Sequence, residues 1–101
     1  MLEMTSEVAP RLFKELVAAG SVSSAVVKSY DKGLLIVLQI GLTERVVGAA
    51  RGGPRYFQSI DAAASMLQQA GIRTFSVDTT NWKPKTTLKA REAEISVQRS
   101  I

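Results

Sequence analysis

At 101 residues, with 46% hydrophobic, 22% charged and 6% aromatic content, the chain has the composition of a single soluble globular domain with one core. It contains no cysteine and no histidine, which excludes disulfides, thiolate metal sites and Cys-His or Ser-His-Asp chemistry, and leaves catalysis to carboxylates, lysines, arginines, tyrosines or hydroxyls. The formal charge of +4 is held unevenly: residues 1–50 carry five Lys/Arg against five Asp/Glu and residues 51–101 eight against four, a surplus that suits nucleic acid or an acidic partner but also serves plain solubility.

The longest apolar run, Leu34 to Leu38, is far too short to cross a bilayer, so no membrane partner is expected. Met1-Leu2-Glu3-Met4 lacks the basic-then-apolar order of a secretory leader, and the expected location is cytoplasmic. Met1 to Val8 shows no period and reads as a loose lead-in. A first helix is expected from Pro10, whose missing N–H costs nothing in a first turn, with Leu12, Phe13, Leu16 and Val17 on one face and Gly20 at its end. Ser21 to Ser24 then open an extended segment through Val22, Ala25, Val26 and Val27. A helix-turn-helix with Gly20 as its turn is the competing parse, but the β-branched pair Val26-Val27 and the turn formers Asp31-Lys32-Gly33 fit a hairpin better.

Leu34 to Ile40 reads as the central strand, buried on both faces for part of its length. Gly41-Leu42-Thr43 turns the chain, and Glu44 to Ala50 returns antiparallel with Arg45, Val47 and Ala49 on one side. After Arg51-Gly52-Gly53-Pro54, the run Arg55-Tyr56-Phe57-Gln58 is expected to add a short strand. A second helix follows, capped by Ser59 or Asp61, with Ile60, Ala63, Ala64, Leu67 and Ala70 on its buried face. Gly71 is expected in the left-handed conformation just past its last turn, letting Ile72 cover Leu67, before Arg73 to Val77 resumes an extended pattern. Asp78 to Asn81 are turn formers. Trp82 is expected to pack its ring on the sheet or on the first helix, an exposed stacking or partner-contact role being the other reading. Residues 83–101 form a basic tail, either weakly helical or an arm ordered by a partner.

The predicted architecture is therefore α+β: an N-terminal helix, an antiparallel meander of three to four strands, a second helix packed on the sheet, a final strand and a basic C-terminal tail. Residues 1–82 make one domain. Gly48 to Gly53 matches no phosphate-binding glycine signature, the carboxylates are scattered, and no catalytic residue, cofactor or metal is expected. The candidate contacts are instead cationic. Arg45, Arg51, Arg55 and Arg73 flank or lie on the strands beside Tyr56, and Lys83, Lys85, Lys89 and Arg91 follow in the tail; two or more arginines on an uncovered sheet face would contact phosphates. Each arginine could equally do no more than solvate a strand edge.

Three segments taken as a series, Leu38-Gln39-Ile40-Gly41-Leu42-Thr43-Glu44-Arg45-Val46-Val47, Ala50-Arg51 through Arg55-Tyr56-Phe57-Gln58-Ser59-Ile60-Asp61-Ala62, and Leu67 through Gly71-Ile72-Arg73-Thr74-Phe75-Ser76-Val77-Asp78, resemble the ParC-like, partition-associated family of small plasmid-encoded proteins. That family is unrelated to the topoisomerase subunit of the same name. The resemblance spans roughly residues 16–80 and implies a role in plasmid or mobile-element maintenance in bacteria without enzyme activity; it carries over no binding residues. The expectation is thus a non-catalytic accessory protein acting on DNA or on another plasmid-maintenance protein as a homodimer, or alternatively a protein-protein adaptor whose C-terminal arm folds on its partner.

Overall fold

The computed structural model of the chain describes residues 6–83. In chain order the elements are β1 (Ser6–Val8), α1 (Pro10–Ala18), β2 (Val22–Tyr30), β3 (Gly33–Ile40), β4 (Thr43–Val47), α2 (Ile60–Ala70) and β5 (Ser76–Asp78). The expected tail lies outside the described residues.

The hairpin forms where its turn residues put it. Asp31 and Lys32 keep negative φ, and Gly33, at φ 145°, makes the reversal that lets Tyr30 pair with Gly33 and Val27 with Ile36. β4 then pairs antiparallel with β3 through Val37–Val46 and Leu38–Arg45, completing the expected meander. Both edges of the sheet differ from expectation. β1 runs parallel to β4 and β5 parallel to β2, so the order is β1-β4-β3-β2-β5 and the sheet is mixed, with β3 alone antiparallel to the rest. The lead-in before Val8 is therefore partly a strand. Its signal is too short to read, because three residues with one buried valine carry no period and the pairing is supplied by β4.

Two further corrections concern the chain between β4 and α2. β4 ends at Val47 rather than Ala50, and Arg55–Gln58 is not a strand but touches the sheet at two points, the Arg55 amide donating to the Val47 carbonyl at 3.0 Å and the Leu34–Phe57 bridge, whose N–H and C=O groups exchange hydrogen bonds of 2.8 Å in each direction. The cause is local. Gly52 and Gly53 at positive φ and Pro54 turn the chain before this segment, and Ser59 starts a helix after it, leaving too few residues for a ladder.

Both helices close with the same device. Gly20 (φ 74°) and Gly71 (φ 104°) are left-handed; the Gly20 and Ser21 amides donate to Val17 and Leu16 carbonyls, and the Gly71 and Ile72 amides to those of Gln68 and Leu67, at 2.9–3.0 Å. That satisfies carbonyls that a helix end would otherwise leave open. At the start of α2, Ser59 Oγ accepts the Ala62 amide at 3.1 Å, so Ser59 is the cap and Asp61 lies in the first turn, where its charge suits the dipole.

α1 links β1 to β2 and α2 links β4 to β5, each joining parallel strands and moving the same way along the sheet. Crossovers of one hand then put both helices on the same face. Phe13 from α1, Ala63 and Leu67 from α2, and Val8, Ala25, Val27, Leu34, Ile36, Leu38, Val47 and Phe57 make the main core there. A bulge at Ser23 shifts the register of β2 so that Val22 as well as Ala25 faces the helices. On the opposite face Leu35, Val37 and Val46 form a second, smaller cluster flanked by Tyr30 and Tyr56, so β3 is buried on both sides from Leu34 to Leu38 as its continuous apolar run implied.

Candidate functional site

Three segments meet at the end of the sheet where β2 turns into β3. The first is the hairpin, Ser29 to Leu34. The second is Tyr56-Phe57-Gln58, held against the hairpin by the Leu34–Phe57 bridge and brought close because position 33 has no side chain: a Cβ there would stand 2.9 Å from the Phe57 carbonyl oxygen and 3.3 Å from Tyr56 Cβ. The third is Asn81-Trp82-Lys83.

A chain of short-range bonds delivers that third segment. Asp78 Oδ1, at the end of β5, accepts the Thr80 amide at 3.0 Å and the Thr80 hydroxyl at 2.6 Å, and the Trp82 amide donates to the Thr79 carbonyl at 3.0 Å, folding residues 78–82 into consecutive turns. Ser29 Oγ then donates to the Asn81 carbonyl at 3.3 Å, tying the turn to β2. The Thr80 hydroxyl and amide, with Lys28 as a lesser influence against a small opposing effect of burial, hold the Asp78 carboxyl below the usual aspartate value.

Between the three segments lies an open cleft of about 640 Å³ lined by Tyr30, Tyr56, Phe57 and Trp82, with Lys32 and Lys83 and the one carboxylate, Asp31, at its exposed margins and Gln58 and Asn81 as amide-bearing neighbours. Tyr30 and Tyr56 brace against the smaller apolar cluster and Trp82 against the main core, so the three rings are half-buried and fixed from behind. Arg55 stands on the Phe57 ring, its guanidinium carbon 4.8 Å from the centroid, a contact worth about 0.5–1 kcal/mol at an exposed site. A second groove, beside α2, contains Asp61, Gln68, Arg73 and Phe75; its opposite charges offset each other and it has one aromatic ring.

A model of the ParC-like family matches residues 8–86, well over half of the chain. The chain belongs to the ParC-like family. No curated protein and no solved structure matches it. The match is to the small ParC-like proteins, not the topoisomerase subunit, and it points to a plasmid-related protein.

In this ParC-like chain the arginines expected on a basic sheet face do not gather there. Arg45 pairs with Leu38 and so projects on the helix-covered side, while the opposite face bears Glu7, Lys28, Glu44 and Asp78 at the register positions of Val46, Leu35, Gln39 and Lys28. Alternation alone decides this, since residues paired across strands share a face. Arg51 is exposed in the turn after β4, Arg73 lies in the groove beside α2, and Arg55 is on the Phe57 ring. Tyr56 and Lys83 are the two expected contact residues that the fold brings together in one cleft. Lys85, Lys89 and Arg91 lie outside the described residues. The ParC-like cleft adds Tyr30, Lys32 and Trp82. The signal for the first two was present in the sequence, an aromatic residue at the start of a hairpin turn and a lysine within it, but only the arrival of residues 81–83 makes them part of a site. Among the described residues no three His, Cys, Asp or Glu side chains gather as metal ligands, and no helix is long and apolar enough to cross a membrane.

Proposed function

We propose that this ParC-like chain is a non-catalytic accessory protein of plasmid or mobile-element maintenance that works in the cytoplasm by contacting DNA. The observation that carries the reading is the placement of Lys32 and Lys83 at the margins of an aromatic cleft, with Lys83 leading in sequence to Lys85, Lys89 and Arg91. Exposed lysines at a fixed site give phosphates a place to bind, and the aromatic floor provides surface that a nucleic acid can cover. The cleft's charged groups, Asp31, Lys32 and Lys83, are exposed, and Tyr30 and Tyr56 are half-buried against the smaller cluster. Charges at the rim of a packed aromatic surface suit the binding of a charged partner. Self-association belongs to the same reading: β5 is an edge of the sheet with all three residues exposed, and an open edge is a template for a second copy or for another maintenance protein.

The test is fluorescence anisotropy of the full chain with labelled single- and double-stranded DNA over a salt series. Affinity is expected to fall steeply with salt, and Lys32→Ala and Lys83→Ala are each expected to lower the slope by about one counterion. Undetectable binding to either form at low salt refutes the DNA reading and leaves the protein adaptor. A monomeric mass by light scattering at micromolar concentration removes the self-association.

A further inference from the structure

We infer that the cleft at the hairpin end is a stacking site for an unpaired nucleobase, so that this chain takes single-stranded nucleic acid, or a strand opened within a duplex, in preference to closed double helix. The inference rests on the reading of the chain as a nucleic-acid-contacting protein and specifies what that contact recognises.

The first support is where the aromatic residues are. The chain has one Trp, two Tyr and three Phe, and four of these six line this one cleft. Phe57 is buried in the main core, whereas Tyr30, Tyr56 and Trp82 remain half-exposed. Tyr30 and Tyr56 are packed from behind by the smaller cluster and Trp82 by the main core, so each ring borders the cleft with little rotamer freedom left to lose on binding.

The second support is what the other described elements lack. Reading a closed duplex takes a helix or a two-stranded ribbon with cationic and amide side chains that enters the major groove. α2 carries one charged residue, Asp61, and no basic one; α1 offers Arg11 and Lys14 against Glu15. The two hairpin tips, Asp31-Lys32 and Gly41-Leu42, hold a single lysine between them. None of these described elements is a groove reader.

The third support is the polar complement of the cleft. Gln58 and Asn81 each offer a carbonyl acceptor and an NH₂ donor, the groups that match a base edge, and Lys32 and Lys83 offer two point charges for flanking phosphates against the single carboxylate of Asp31. A volume of about 640 Å³ falls within the range of small-molecule sites and accommodates a nucleobase with its sugar. A proline-rich peptide also lies against aromatic grooves, but its proline repeat brings no regularly spaced anions for the two lysines to meet. The lysines favour the nucleic acid.

The experiment uses the full chain with Trp82 as the internal probe. It is titrated at low salt with an oligo-dT of roughly eight nucleotides, with an abasic oligomer of the same length and backbone, with a duplex, and with a polyproline peptide. Oligo-dT is expected to quench Trp82 emission and to bind about five- to 150-fold tighter than the abasic strand, because stacking one base is worth roughly 1–3 kcal/mol. Tyr56→Leu and, separately, Tyr30→Leu keep an apolar side chain against the smaller cluster and are each expected to weaken oligo-dT about tenfold while leaving the abasic strand unchanged. A circular dichroism spectrum matching wild type confirms that each variant is folded. Equal binding of oligo-dT and abasic strand without quenching overturns the stacking site and leaves the phosphate-contact reading standing. Tighter binding of duplex than of single strand likewise overturns the preference. Quenching by polyproline alone assigns the cleft to a protein partner, and binding of no nucleic acid defeats both readings together.

Discussion

Replacing Gly33 by alanine is expected to detach the 56–58 segment from the hairpin and take with it a large part of the stability of the domain. Two costs combine. At φ 145° an L-residue sits in the half of the backbone map it avoids, about 1–2 kcal/mol. The added Cβ would also stand 2.9 Å from the Phe57 carbonyl oxygen, a backbone atom that cannot rotate aside, so the reciprocal Leu34–Phe57 hydrogen bonds must stretch or break. With each bond worth about 1 kcal/mol net, the sum is roughly 2–4 kcal/mol. Domains of this size have only about 5–15 kcal/mol to lose. Urea unfolding followed by Trp82 emission, with a slope of about 1.5 kcal/mol/M, should show the midpoint lowered by roughly 1.3–2.7 M. Gly41→Ala is the internal control. Gly41 has φ 61°, and a Cβ added there would meet no atom within 4 Å, so its substitution incurs the backbone cost alone, about 1 kcal/mol. If Gly33→Ala proves no more costly than Gly41→Ala, the close approach of Phe57 to the hairpin is not what requires glycine, and the account of how the cleft is assembled fails.

Three further outcomes are expected. Ser59→Ala should lower stability by about 1 kcal/mol in the same urea assay by orphaning the Ala62 amide, and Ser59→Asp should restore all but a few tenths; equal loss in both variants would show that the cap contributes nothing. Leu67→Ala, at a fully buried position between α2 and the sheet, should cost about 2–5 kcal/mol, and calorimetry showing less than about 1 kcal/mol would mean that α2 is not seated as described. Thr80→Val should raise the Asp78 pKa toward the ordinary aspartate value, followed by NMR titration of that carboxyl. Folding lowers this pKa, so the stability Asp78 contributes is present above the unfolded aspartate value and is lost as pH falls through the folded one; in Thr80→Val that acid-side loss should shrink, and an unchanged titration curve would remove Thr80 as the cause.

Local chemistry was enough to write much of this molecule down from its residues. The β-branched and apolar runs on either side of Asp31-Lys32-Gly33 specify the hairpin, glycines after the last apolar turn specify both helix ends, and Ser59 followed by Ile60, Ala63 and Leu67 specifies a capped helix with one buried face. Each of these signals acts within about one turn or one hairpin of the residue that carries it, and backbone sterics enforce it wherever the segment ends up. Only the tertiary structure decided the edges of the sheet, the side of it on which each arginine lies, and the meeting of Tyr30, Lys32, Tyr56 and Trp82. β1 and β5 are three residues each and gain their identity from the strands they join, Arg45 faces the helices because of the register that β3 imposes on β4, and Trp82 joins the cleft that Tyr56 lines only after α2 has carried the chain across the sheet. Contacts between residues far apart in the chain depend on how whole elements pack, a choice made by the burial of both helices against one sheet face rather than by any short stretch of residues.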